Sequence, residues 1–199
     1  MSQPIILASG SKTRLALLQQ AGLSVETIVA SVDEQEMKAS FQAEQAPAEA
    51  CAEALAELKA MRVSQRHPGA LVIGADQMLD CNGVWFDKPA DTAHARAHLQ
   101  ALRGKTHRLV TAAVVALNGS RLWHTIDSAQ LTMRPFSDGF LDAYLRQVGP
   151  GVLSSVGVYH LEGLGAQLFS RVEGDFFTIL GLPLLPLLGF LRDRGALPK

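Results

Sequence analysis

Cysteine is almost absent: Cys51 and Cys81 are the only thiols in 199 residues, and neither belongs to a C-x-x-C pair. A disulfide framework or a thiolate zinc site has little to build on. Neither sign of charge is in excess. Eighteen Lys and Arg stand against nineteen Asp and Glu, a formal net charge of −1. Without a basic field the chain is not built to coat nucleic acid, and any anion site must be local. The N-terminus has no basic segment followed by an apolar one, so no signal peptide is expected. The longest apolar run, Ile179 to Leu191, has 13 residues and contains Pro183 and Pro186. It is too short to span a membrane and reads as a buried C-terminal helix. What remains is a soluble, cytoplasmic protein of one compact domain or two small lobes sharing a core.

What is present alternates strand and helix signals. Residues 4–8 (PIILA) form a short β-rich run, followed by a helix over Lys12–Gln20 with Leu15, Leu17 and Leu18 on its apolar face and Gly22 as its stop. Val25 to Val32 reads as a second strand. Pro47 to Arg66 is Ala-rich and helical, ending before the turn signal His67-Pro68-Gly69. The run from Ala70 closes on Asp76. Asn82-Gly83 predicts a hairpin between Met78–Cys81 and Val84–Asp87. Asp91 or Thr92 caps a helix reaching Leu102, which Gly104 stops. Two long β-rich runs, 107–117 and 121–133, flank Asn118-Gly119-Ser120. Ser137 caps a helix through Gln147, strand-like residues occupy 166–172, and a final helix follows Pro183. The pattern predicts an α/β architecture with a mixed, twisted sheet flanked by helices, in two lobes. In such sheets ligands sit beyond the carboxyl ends of strands, where IILASGS and LVIGAD both end.

Several local constellations carry chemistry. In Ser9-Gly10-Ser11-Lys12-Thr13-Arg14, small residues at a helix start leave room for a phosphate, and Arg14 offers a planar fork. An ordinary strand–turn–helix junction capped by Ser11 explains the same residues. Asp76 closes an otherwise buried run, where a carboxylate is costly unless paired or coordinating a cation. It reads as a magnesium ligand, a general base for water, or the cap of a turn. Asp33-Glu34 adds oxygen ligands or forms a solvated acidic loop. Pro89 biases Lys88 to an extended backbone, which either aims it into a cleft or leaves it a surface lysine. Lys59 lies within the Ala-rich helix, where a lysine is ordinarily solvated. Lys105-Thr106 opens a strand as a base or phosphate contact or a plain turn, and His107 belongs to no metal-ligand array. Around Tyr159 to Gly165, aromatics and Glu162 either read a base or form a turn with core aromatics.

In order, LASGSKTR, VDE, GADQ, DKPAD, LRGKTH, LEGLG and VEGDFFTILGLPL resemble the Maf family of nucleotide pyrophosphatases from about Ile5 to Leu191. The resemblance implies a single Maf-like domain over residues 1–199, with a Maf/Ham1-like (ITPase-like) fold and a central cleft between its lobes. It implies hydrolysis of nucleoside triphosphates to monophosphate and pyrophosphate, by attack of water on the α-phosphorus. It assigns Asp76, Lys88 and Glu34 to catalysis, and Ser9, Ser11, Arg14, Lys59, Lys105, Thr106 and Glu162 to substrate. Asp76 and Glu34 would hold Mg²⁺ or Mn²⁺. A nucleoside triphosphate is the expected partner, with no nucleic acid and no membrane, and the resemblance admits a homodimer. The alternative is a non-catalytic nucleotide-binding regulator linked to division arrest. Where the family commonly has SPRR, this chain has Ser11-Lys12-Thr13-Arg14 and so lacks one arginine, which a lysine does not replace as a bidentate donor. Gln77 and Glu162 resemble the branch associated with 7-methyl-GTP, whereas LRGKTH resembles the branch acting on dTTP and UTP.

Overall fold

The computed structural model describes residues 3–198. Among them seven strands form one sheet in the order β2-β1-β3-β5-β6-β7, with β4 paired to β3. They are β1 (Ile5–Leu7), β2 (Glu26–Thr27), β3 (Leu71–Cys81), β4 (Val84–Phe86), β5 (Thr106–Leu117), β6 (Ser120–Met133) and β7 (Phe169–Glu173). The helices are α1 (Lys12–Gln20), α2 (Glu34–Ala43), α3 (Ala48–Ser64), α4 (Thr92–Leu102), α5 (Asp138–Val148), α6 (Phe176–Ile179) and α7 (Leu184–Asp193). β1 runs parallel to β2 and β3, whereas β4 and β7 are antiparallel to β3 and β6. The sheet is therefore mixed, as the sequence predicts.

Both Asn-Gly pairs make their turns. Asn82 and Gly83 have φ of 56° and 82°, and Asn118 and Gly119 have φ of 51° and 74°. Positive φ at both central residues matches the twist of the flanking strands, so β3 leads into β4 and β5 into β6 by two-residue loops.

The chain divides into two compact units. The first comprises the residues up to Gln77, Val110–Asp127 and those from Asp175 on; the second comprises Met78–Leu109 and Ser128–Gly174. In the first unit, side chains alternate across the sheet. Ile5, Leu7, Leu71, Ile73 and Ala75 pack with Leu17 and Leu18 of α1 and with Leu184, Leu187, Leu188 and Leu191 of α7. Ile6, Ala8 and Val72 face the other way and pack with Val63 of α3. In the second unit, Leu99 and Leu102 of α4, Leu131 and Met133 of β6, and Leu141 of α5 are fully buried.

Three expectations are corrected. The run closing on Asp76 is not a strand end, because β3 continues through Gln77 to Cys81. The strand expected over Val25–Val32 shrinks to Glu26–Thr27, since its sole neighbour in the strand order, β1, is three residues long. Asp33-Glu34 is not a solvated loop: Asp33 caps α2, accepting the Glu36 N–H at 3.0 Å, and Glu34 opens that helix.

Candidate active site

The alternation that buries β3 also aims Asp76. Val72, Gly74 and Asp76 share the sheet face that α3 covers. Gly74 is what lets α3 come close: a Cβ there would meet the Ala56 carbonyl oxygen at 2.1 Å and the Ala60 nitrogen at 2.7 Å. On α3 the buried positions Ala52, Leu55, Ala56, Lys59, Ala60 and Val63 form one stripe. Lys59 lies within it, so its ammonium is carried into the core rather than into water.

There Lys59 Nζ stands 2.6 Å from Asp76 Oδ1 and 2.6 Å from Glu34 Oε1. Glu34 reaches it from the first turn of α2, whose approach is held by Arg62 of α3 donating to the Ser31 carbonyl. Lys59 and Asp76 are 7 % and 5 % exposed, while Glu34 is half-buried. Burial at this level requires the pairing observed, since an isolated charge would be expelled or neutralised. One oxygen is left over: Asp76 Oδ2 is buried without a hydrogen-bond partner among the described residues.

The Ser9–Arg14 turn reaches β3 at Ala75, the residue before Asp76. Ser11 caps α1 by accepting the Arg14 N–H at 3.3 Å, and Ser9 Oγ accepts the Ser11 N–H at 3.2 Å. Arg14 is half-buried and spends its side chain inward. Nε donates to the Gly181 carbonyl at 2.6 Å, and Nη1 donates to the Ala75 carbonyl at 3.0 Å and Ser9 Oγ at 3.2 Å. Burial pulls the Arg14 pKa below its ordinary value, opposed by the charges of Asp76 and Glu34. The guanidinium is thus first a brace. Its Nη2 makes no hydrogen bond to another described residue.

Six of the sequence-derived site residues belong to the first unit, bonded in two groups of three: Ser9, Ser11 and Arg14 by hydrogen bonds, and Glu34, Lys59 and Asp76 by ion pairs. Lys88, Lys105, Thr106 and Glu162 belong to the second unit, where all four are exposed. Lys88 follows β4. Lys105 offers its carbonyl to the Met133 N–H at 2.9 Å, and Thr106 shares a hydrogen bond with Thr132 at 2.9 Å. Glu162 lies 3.8 Å from His160 Nδ1. Tyr159 is buried, its hydroxyl 2.8 Å from His107 Nε2, so it is a core aromatic rather than a stacking platform. The sequence reading missed Thr111, Thr178 and Asp127, which form a hydrogen-bonded group with Gln77 beside Asp76 in β3, because no short motif joins residues so far apart in the chain.

The sequence model of the family described as Maf-like protein matches residues 4–194. This chain belongs to the Maf family. Among its relatives, a protein of Paramagnetospirillum magneticum named nucleoside triphosphate pyrophosphatase is 62 % identical over 96 % of this chain and 99 % of its own. One of the same name from Granulibacter bethesdensis is 55 % identical, covering 97 % and 98 %. A relative in Mesorhizobium japonicum named 7-methyl-GTP pyrophosphatase is 51 % identical, covering 99 % of both chains.

Proposed function

We propose that this Maf protein hydrolyses nucleoside triphosphates to the nucleoside monophosphate and pyrophosphate. The observation that carries the reading is the Lys59–Asp76–Glu34 cluster, with Lys59 and Asp76 buried, and its unpartnered oxygen, Asp76 Oδ2. A carboxylate oxygen kept dry and unpaired beside two cationic side chains is suited to a water or a cation presented with a polyanion.

Mg²⁺ or Mn²⁺ fits these donors. Asp76 Oδ2 and the Glu34 carboxylate are hard oxygen ligands, and such ions are commonly held by one or two carboxylates plus substrate phosphates. No group of three or more His, Cys, Asp or Glu among the described residues is placed to hold a metal alone, so phosphate oxygens would complete the shell. When bound, the cation would neutralise phosphate charge and lower the pKa of a coordinated water.

The chain's own residues supply the rest. Lys59 holds Asp76 Oδ1, which leaves Oδ2 as the oxygen that takes the proton of the attacking water or grips the cation. Lys59 and the Nη2 edge of Arg14 offset the charge that develops on the phosphates, an electrostatic task suited to groups already fixed in place. Lys88, Lys105, Thr106 and Glu162 are assigned to substrate by the family resemblance, Lys88 also to catalysis.

The test is product analysis with dTTP, UTP, CTP and 7-methyl-GTP, with and without Mg²⁺ or Mn²⁺. Metal-dependent release of monophosphate and pyrophosphate in equal amounts supports the proposal, and the favoured base identifies the branch. Nucleotide binding without turnover would replace it with the regulatory reading.

A further inference from the structure

Gln77 follows Asp76 in β3 and points to the opposite face, the one lined by Ile73 and Ala75. Its Nε2 lies 2.9 Å from Thr111 Oγ1, 3.0 Å from the Thr178 carbonyl oxygen and 3.1 Å from the Ile179 carbonyl oxygen. Two of these three neighbours are pure acceptors, which fixes the amide's orientation with its nitrogen toward them. Thr111 Oγ1 donates to the same Thr178 carbonyl at 3.0 Å. Thr178 is further held through its hydroxyl, which donates to Asp127 Oδ2 at 2.7 Å, and its N–H, which donates to Asp175 Oδ1 at 2.9 Å. Thr111 and Thr178 are fully buried.

The segment so fixed ends at Gly181, whose φ of +99° is the left-handed region and whose carbonyl accepts Arg14 Nε. Arg14 returns to β3 through the Ala75 carbonyl. Both chain neighbours of Asp76 are therefore tied to one short segment, residues 178–181: Gln77 directly, and Ala75 through Arg14. An apolar residue at position 77 would fill the same space without this tie.

We infer that Gln77 is a positioning residue for the hydrolysis, fixing through the 178–181 segment the placement of Arg14 and of the Asp76 carboxylate. The inference rests on the proposed function. It assigns Gln77 no contact with the substrate.

The test compares the full-length protein with Gln77→Met, which keeps the length and removes the amide, and Gln77→Glu, which keeps the shape but faces acceptors with an acceptor. Turnover of the preferred nucleotide should fall at least about tenfold in both, because small misplacements of reacting groups are costly, while KM moves much less. Amide hydrogen exchange at residues 178–182 should quicken, with that of α7 unchanged. Thr178→Val, which removes only the Asp127 tie, should move the same readouts less and replaces Gln77→Met if that variant does not fold. A folded Gln77→Met enzyme with lowered Tm and normal turnover would make the role purely structural and overturn the inference. A changed ranking of the bases at unaltered turnover on the best one would make Gln77 a substrate contact and overturn it equally. An inactive wild type would remove the proposed function and this inference together, whereas a fully active variant removes the inference alone.

Discussion

Lys59 Nζ and Asp76 Oδ1 meet at 2.6 Å with side-chain exposures of 9 % and 7 %, although 17 residues separate them. Removing one member of such a pair leaves a buried charge without its partner, which costs far more than the pair itself contributes. Lys59→Met should therefore lower the unfolding free energy at neutral pH by about 3–5 kcal/mol. It should also abolish most turnover. Denaturant unfolding checks the first part, and a loss under about 1 kcal/mol would mean that water reaches Asp76 far more freely than its burial indicates.

The pair depends on close approach of α3 to β3. With Ala56 O at 2.1 Å from the position of an added Cβ, Gly74→Ala forces helix and strand apart. Overpacking of this kind costs about 1–3 kcal/mol, and the displaced helix carries Lys59 with it. The expected result is a lowered Tm together with a fall in turnover larger than the lost stability explains. Normal turnover in the folded variant would uncouple the packing from the site.

The sheet and most helices were legible because their signals are local. Asn82-Gly83 and Asn118-Gly119 specify turns by themselves, and Ser11, Asp91 and Ser137 cap the helices expected of them. α2 was not legible: none of its residues is buried, so it writes no apolar stripe into the sequence. The length of β3 was hidden by Asp76, which reads as an end until Lys59 is known to neutralise it. Lys59 itself left a trace. Its position among the buried Ala52, Leu55, Ala56 and Val63 of α3 lies on the inward face, but so many alanines blur the distinction between inward and outward. The ties from Gln77 and Arg14 to residues 178–181 span about a hundred residues or more, beyond any local pattern.

A separate prediction concerns the second unit. His107 is buried beside Tyr159 and Phe169, its Nε2 paired with the Tyr159 hydroxyl and its Nδ1 without a partner among the described residues. Burial lowers its pKa from 6.5 to about 4. A depressed histidine pKa means that the unfolded chain binds more protons between these values. The folded state thus has its full stability above about pH 6.5 and loses it as pH falls toward 4, by about 3 kcal/mol in all. His107→Gln, which offers Tyr159 a non-titrating amide in place of the imidazole, should flatten this part of the profile. Denaturant unfolding at pH 7, 5.5 and 4.5 measures it, and parallel profiles for the two proteins would refute the assignment.

The central claim is that the Asp76 carboxylate is indispensable to the release of pyrophosphate. Its most direct test is the rate of pyrophosphate release by the wild type and by Asp76→Asn, which keeps the shape and removes the charge, at saturating nucleotide and divalent metal. The account predicts a folded variant slowed at least about a hundredfold, the range expected for a positioned acid–base group. Pyrophosphate release by folded Asp76→Asn at a rate near that of the wild type would contradict it.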